Sequence, residues 1–185
     1  MTSLRLWLLG NLLANQLVWA VAVVGAAQGS SVPGVLGASL FLLLHLALLR
    51  DWRGEARFIG MLVLVGYPLD CLMSLSGLIE YRPANSFAGI APPWILGLWV
   101  SIAATARHSL RPLLHKTPVA AVFGLLGAPF AYYTASVAQA ITLPEPVLAL
   151  ALIGLAWAIL LVALRRYMPV ETPERRRFVL PGEAA

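Results

Sequence analysis

Six long apolar segments separated by short connections, with the basic residues sorted to one side, constrain this chain more than any other feature. The segments lie at about residues 6–25, 33–49, 58–79, 92–110, 118–141 and 147–164. Of thirteen Lys and Arg residues, twelve fall on one side of this alternation and only Arg82 on the other. Crossing roughly 30 Å of hydrocarbon takes about 20 helical residues. No water is available there to satisfy backbone N–H and C=O groups, so each segment must pair them internally as a helix. An excess of Lys and Arg marks cytoplasmic loops. The expected fold is therefore all-α: a polytopic transmembrane bundle of six spans over residues 1–166, with both termini cytoplasmic. Residues 167–185 are expected to form a basic, flexible cytoplasmic tail, because three prolines and the run Arg175, Arg176 and Arg177 leave little to bury.

Hydrophobic residues make up 60% of the 185 and charged residues only 11%, which leaves no room for a separate soluble domain. The net charge of +5 lies in short clusters beside the apolar segments, pointing to anionic inner-leaflet lipid as the partner and not to nucleic acid. Cys71 is the only cysteine and excludes an intrachain disulfide. GAAQGS, closing the first segment, has the small residues of a signal-peptidase site, but Asn11, Asn15 and Gln16 interrupt the apolar core of a signal peptide, and the segment is read as retained.

Polar groups at membrane depth are costly and mark the candidate site. Asp70 is the clearest, about 18 Å along the third segment from Phe58, with Gly66, Ser74 and Gly77 on its face and Pro68 just before it. A proline there removes a helix hydrogen bond and predicts a kink. Asn11, Asn15 and Trp19 recur every fourth residue and form one stripe, with Gln16 about 100° away. This stripe is expected to supply Asp70's partner. Ser101 and Thr105 share a face of the fourth segment, and Tyr132 lies deep in the fifth. The candidate polar cavity is therefore Asn11, Asn15, Gln16, Asp70, Ser101, Thr105 and Tyr132. Each has a plain alternative: interhelical amide contacts serve as packing glue, and Ser or Thr hydroxyls return to their own helix carbonyls.

His45, His108 and His115 all map toward the cytoplasmic side, making His45 and His108 candidates there. No helix carries a closely spaced His and carboxylate set, and no glycine-rich phosphate loop, GxSxG turn, HExxH helix or cysteine pair occurs. No metal and no cofactor are expected.

APPWILGLWVSIAATARHSL (Ala91–Leu110), NQLVWAVAVVGAAQG in the first segment, Asp70 and GLLGAPFAYY in the fifth together resemble a bacterial inner-membrane family catalogued as domain of unknown function 2878. The resemblance covers most of residues 11–140. It implies a small multi-pass protein of the inner membrane with no established activity. It also implies genes lying near enzymes that modify membrane fatty acids, including relatives of cyclopropane fatty-acid synthase.

Four functions fit these features. The first is an accessory or binding component for lipid or a lipophilic molecule, partnered with membrane lipids and with lipid-modifying enzymes. The second is a small proton-coupled transporter or channel using Asp70. The third is an intramembrane lipid-modifying enzyme, and the fourth a membrane scaffold docking cytoplasmic enzymes through its basic loops and tail. The absence of cofactor ligands leans against an enzyme.

Overall fold

The computed structural model describes residues 2–84 and 89–165, and the tail expected at 167–185 lies outside them. Six long helices match the six apolar segments: α1 (Thr2–Ala27), α2 (Val32–Ala47), α3 (Trp52–Leu75), α4 (Pro93–Ala106), α6 (Thr117–Val137) and α7 (Pro146–Leu164). A short α5 (Arg111–Leu114) precedes α6, and β1 (Glu80–Tyr81) pairs antiparallel with β2 (Ile141–Thr142). By length and composition, α1, α3, α6 and α7 could each cross a membrane. α2 and α4 are shorter apolar helices of 16 and 14 residues, about 24 and 21 Å long at 1.5 Å per residue.

Helix boundaries depart from the sequence expectation for identifiable reasons. The charged stretch before residue 58, read as loop, is helical from Trp52 because Asp51 caps α3, its Oδ1 accepting from Gly54 N at 3.1 Å. Arg53, Glu55 and Arg57 consequently sit on the first turns of α3. α3 runs unbroken through Pro68 and ends at Leu75, short of 79. Gly77 takes φ 73° beyond that end, and Leu78 N donates back to Met73 O at 3.0 Å. Gly77 therefore belongs to the turn and not to the face of Asp70. α6 stops at Val137, short of 141, by the same device: Gln139 adopts φ 64° and Ala140 N donates to Ala135 O at 3.0 Å. The two early endings free residues 80–82 and 140–142 to pair, with Arg82 N donating to Ala140 O at 2.9 Å.

The helices alternate in direction, so Arg5, Arg50, Arg53, Arg57, Arg107, Arg111, Lys116 and Arg165 share one end of the bundle and Arg82 lies at the other. α4 is the innermost helix, burying Trp94, Trp99, Ser101 and Ala103 to Ala106. α1, α2 and α3 all pack on it, while α6 and α7 pack chiefly on each other. At Gly124 a Cβ would lie 2.6 Å from the backbone of Ala158, so only glycine allows this approach of α6 and α7. α7 buries Ala149, Ile153, Gly154 and Leu161 and leaves Val147, Leu155 and Ile159 exposed, so the apolar sixth segment faces outward on one side only.

A bundle of α1 to α4 and a hairpin of α6 and α7 thus meet along a seam. Buried apolar residues bridge it toward the basic end, where Phe58, Leu110 and Leu114 join Ala120, Leu161 and Leu164 in one core. Toward the other end the seam opens into a cavity.

Candidate functional site

Asp70 stands on the last turns of α3 at this seam, 2% exposed. Its carboxylate accepts from three elements at once. Trp99 Nε1 on α4 donates to Oδ2 at 2.6 Å, Tyr132 on α6 donates its hydroxyl to Oδ1 at 2.5 Å, and Tyr81 on β1 donates to the same oxygen. The β1 and β2 pairing carries Tyr81 over the helix end. Gly66, one turn before Asp70, makes the Trp99 bond possible: a Cβ at Gly66 would lie 2.2 Å from the indole ring. Trp99 stacks in turn on Trp157 of α7, with ring centroids 4.7 Å apart and planes 12° from parallel. The Tyr132 bond and this stack tie the hairpin to the four-helix group.

Beside them lies a cavity of about 380 Å³. Its wall is mainly apolar and aromatic, including Trp19, Leu98, Trp99, Phe123 and Trp157, with Asn15, Gln16, Asp70, Tyr81 and Tyr132 as its most polar members. Exposed Gln16 on α1 and exposed Phe130 on α6 both line it, so it reaches the bundle's outer surface between helices that do not pack extensively on each other.

Of the residues expected to form one polar cavity, the structure brings Asn15, Gln16, Asp70 and Tyr132 to it and places Asn11, Ser101 and Thr105 elsewhere. The Asn stripe does not bond Asp70. Asn15 Oδ1 instead accepts from Ser101 Oγ at 2.6 Å, and Thr105 donates to its own helix at Ser101 O, 2.9 Å away. Sequence reasoning missed Tyr81, which reads as an external loop residue, and Trp99, which reads as one more apolar position on α4.

A second polar cluster occupies the basic end. Glu55 on α3 is 3% exposed, with Oε1 lying 3.3 Å from His45 Nε2 on α2 and 3.2 Å from His108 Nε2 just after α4. Arg107 holds the other carboxylate oxygen at 3.0 Å. His108 Nε2 lies off the hydrogen-bonding direction and is a buried nitrogen without a hydrogen-bond partner among the described residues. Asn11 of α1 lies between His45 Nδ1, 3.2 Å from its Nδ2, and Ser109 Oγ, 2.7 Å from its Oδ1. Trp7 packs against both imidazoles, at 6.1 Å from His45 and 4.9 Å from His108 between ring centroids. His45, Glu55 and His108 form a group able to hold a metal ion, each from a different stretch of chain. No spacing within a single helix could reveal it. His115 stays exposed at the end of α5 and apart from this group.

No curated protein and no solved structure matches the chain. Residues 8–163 match a family described as Protein of unknown function (DUF2878), a span that includes Asp70, the cavity wall and His45, Glu55, Arg107 and His108. That match reaches all six long helices, and the chain belongs to this family.

Proposed function

We propose that this chain is a six-span protein of the bacterial inner membrane that takes a lipophilic molecule with a small polar end from the bilayer into the seam cavity. The observation that carries this reading is the cavity itself: about 380 Å³, walled by aromatic and aliphatic side chains, with its polar groups gathered around a buried carboxylate. Its volume falls in the usual range of small-molecule sites, about 300–1,000 Å³. Its mouth beside Phe130, at the bundle's outer surface, suits entry from lipid and not from water. Exposed Leu43, Leu64 and Val147 around the perimeter are suited to acyl chains.

α2 and α4 are short for a bilayer of about 30 Å, yet both are apolar and held among helices long enough to cross. Placing the basic end in the cytoplasm satisfies the Lys and Arg bias and puts both termini there. The occupant is then a membrane lipid or a lipid precursor, and the protein an accessory to enzymes that modify fatty acids. The gene setting implied by the family resemblance supports that last step. Asp70 fits the role of a fixed organiser of the wall, since three donors from three elements occupy it. A carboxylate that shuttled protons during transport would have to release them at each cycle.

Lipid extraction and mass spectrometry of the purified chain test this reading. Enrichment of one lipophilic class over the surrounding membrane, together with an altered fatty-acid profile on gene deletion, is the expected result. Extracts that match bulk membrane and an unchanged profile would overturn it.

A further inference from the structure

We propose that His45, Glu55 and His108 bind a divalent transition-metal ion at the basic end of the bundle, independently of whatever fills the seam cavity. His45 Nε2, His108 Nε2 and Glu55 Oε1 all lie within 4.8 Å of one another, and the carboxylate oxygen is 3.3 and 3.2 Å from the two nitrogens. Two ligands each about 2.0–2.1 Å from a tetrahedral metal are separated by about 3.3–3.4 Å. The carboxylate oxygen therefore stands at ligand spacing from each nitrogen, and the three atoms, within 4.8 Å of one another, can close on one ion.

Proton counting supports the same conclusion. Ser109 Oγ carries one proton but lies 2.7 Å from both Leu8 O and the amide oxygen of Asn11. With the amide in that orientation, one of the two oxygens is left facing the hydroxyl with no proton between them. Turning the amide over exchanges its oxygen and nitrogen between the same two positions. Asn11 then donates to Ser109 Oγ, Ser109 donates to Leu8 O, and His45 Nδ1–H donates to Asn11 Oδ1, so each of these three contacts carries one proton. This places the lone pair of His45 on Nε2, aimed at a carboxylate oxygen that also faces the unbonded Nε2 of His108. In that tautomer His45 Nε2 offers a lone pair beside Glu55 Oε1, as a metal ligand requires.

The surroundings match those of a metal site. A ligating imidazole commonly donates its other N–H to an oxygen, the part Asn11 takes, and a ligating carboxylate is itself hydrogen-bonded, the part Arg107 takes. Two imidazoles and one carboxylate suit zinc and its first-row neighbours, with a further coordination position open to water or substrate.

The test uses the full chain in detergent micelles, stripped with chelator and titrated with Zn²⁺. One zinc per chain by elemental analysis is expected, with Co²⁺ giving the visible absorption of a tetrahedral site. Glu55→Gln and His108→Gln should weaken zinc binding at least 10-fold, and His115→Gln, away from the cluster, should leave it unchanged. Because the His108 side chain is partly exposed, at 17%, His108→Gln should fold, as checked by thermal unfolding of the stripped protein. No saturable zinc binding by the natural chain, or binding by His108→Gln equal to it, would overturn the proposal.

Discussion

Glu55 and Asp70 are both buried carboxylates on α3, about 22 Å apart along its axis, and their surroundings are opposite in kind. Asp70 is surrounded by donors: two tyrosine hydroxyls and an indole N–H arrive from β1, α6 and α4. Around Glu55 one oxygen is held by Arg107, while the other faces two imidazole nitrogens, with a neighbouring amide whose proton count favours a lone pair on one of them. A carboxylate supplied with donors fixes the shape of its surroundings. One whose free oxygen lies between two imidazole nitrogens has the ligand set for a metal ion.

This contrast can be broken by substitution, and the largest effect belongs to the donor-rich end. Asp70→Leu would orphan three buried donors at about 1–3 kcal/mol each. Little folded protein should survive extraction, as measured by thermal unfolding in detergent. Near-natural stability would show that the three bonds do not hold the seam. Tyr132→Phe removes the single hydrogen bond from α6 to Asp70 and should cost about 1–2 kcal/mol in the same measurement. A larger loss would mean that the hairpin depends on this bond more than on the Trp99 and Trp157 stack.

At the other end, stability and binding should separate. Glu55→Gln should cost only about 1 kcal/mol in metal-free protein, because Arg107 is 26% exposed and can return to water. Its zinc affinity should nevertheless fall at least 10-fold, and equal affinities would erase the distinction between the two carboxylates. Ser101→Ala, which removes one interhelical bond to Asn15 outside both clusters, should have the smallest effect, about 0.6 kcal/mol as typical for such bonds in membranes. A loss as large as that of Tyr132→Phe would make the Asn15 contact part of the seam's framework.

The helices were legible because apolar length is a strong signal, and Asp70 because a carboxylate within an apolar run has few explanations. Glu55 was hidden by company: among Arg50, Asp51, Arg53 and Arg57 it reads as one more loop charge, and only the Asp51 cap turns it inward. Tyr81 reaches Asp70 through a two-residue pairing that depends on Gln139, not a glycine, adopting positive φ, and no pattern in the sequence announces that. The partners of Asn11 and Asn15 were misassigned because periodicity gives the face of a helix and not its neighbour. Asn11 faces the end of α2 and the turn after α4, not Asp70.

Native mass spectrometry of the natural chain beside Gly127→Leu tests the proposed occupancy of the seam most directly. Gly127 lines the cavity, and an added Cβ there meets only the Phe123 ring at 3.7 Å, an ordinary contact. Leucine also favours the helix by about 1 kcal/mol over glycine, so the variant should fold with its cavity filled. A lipophilic adduct of about one per natural chain, largely lost from Gly127→Leu, is the expected result. A natural chain that flies without adduct, or equal adduct on both proteins, would contradict a lipid-binding seam.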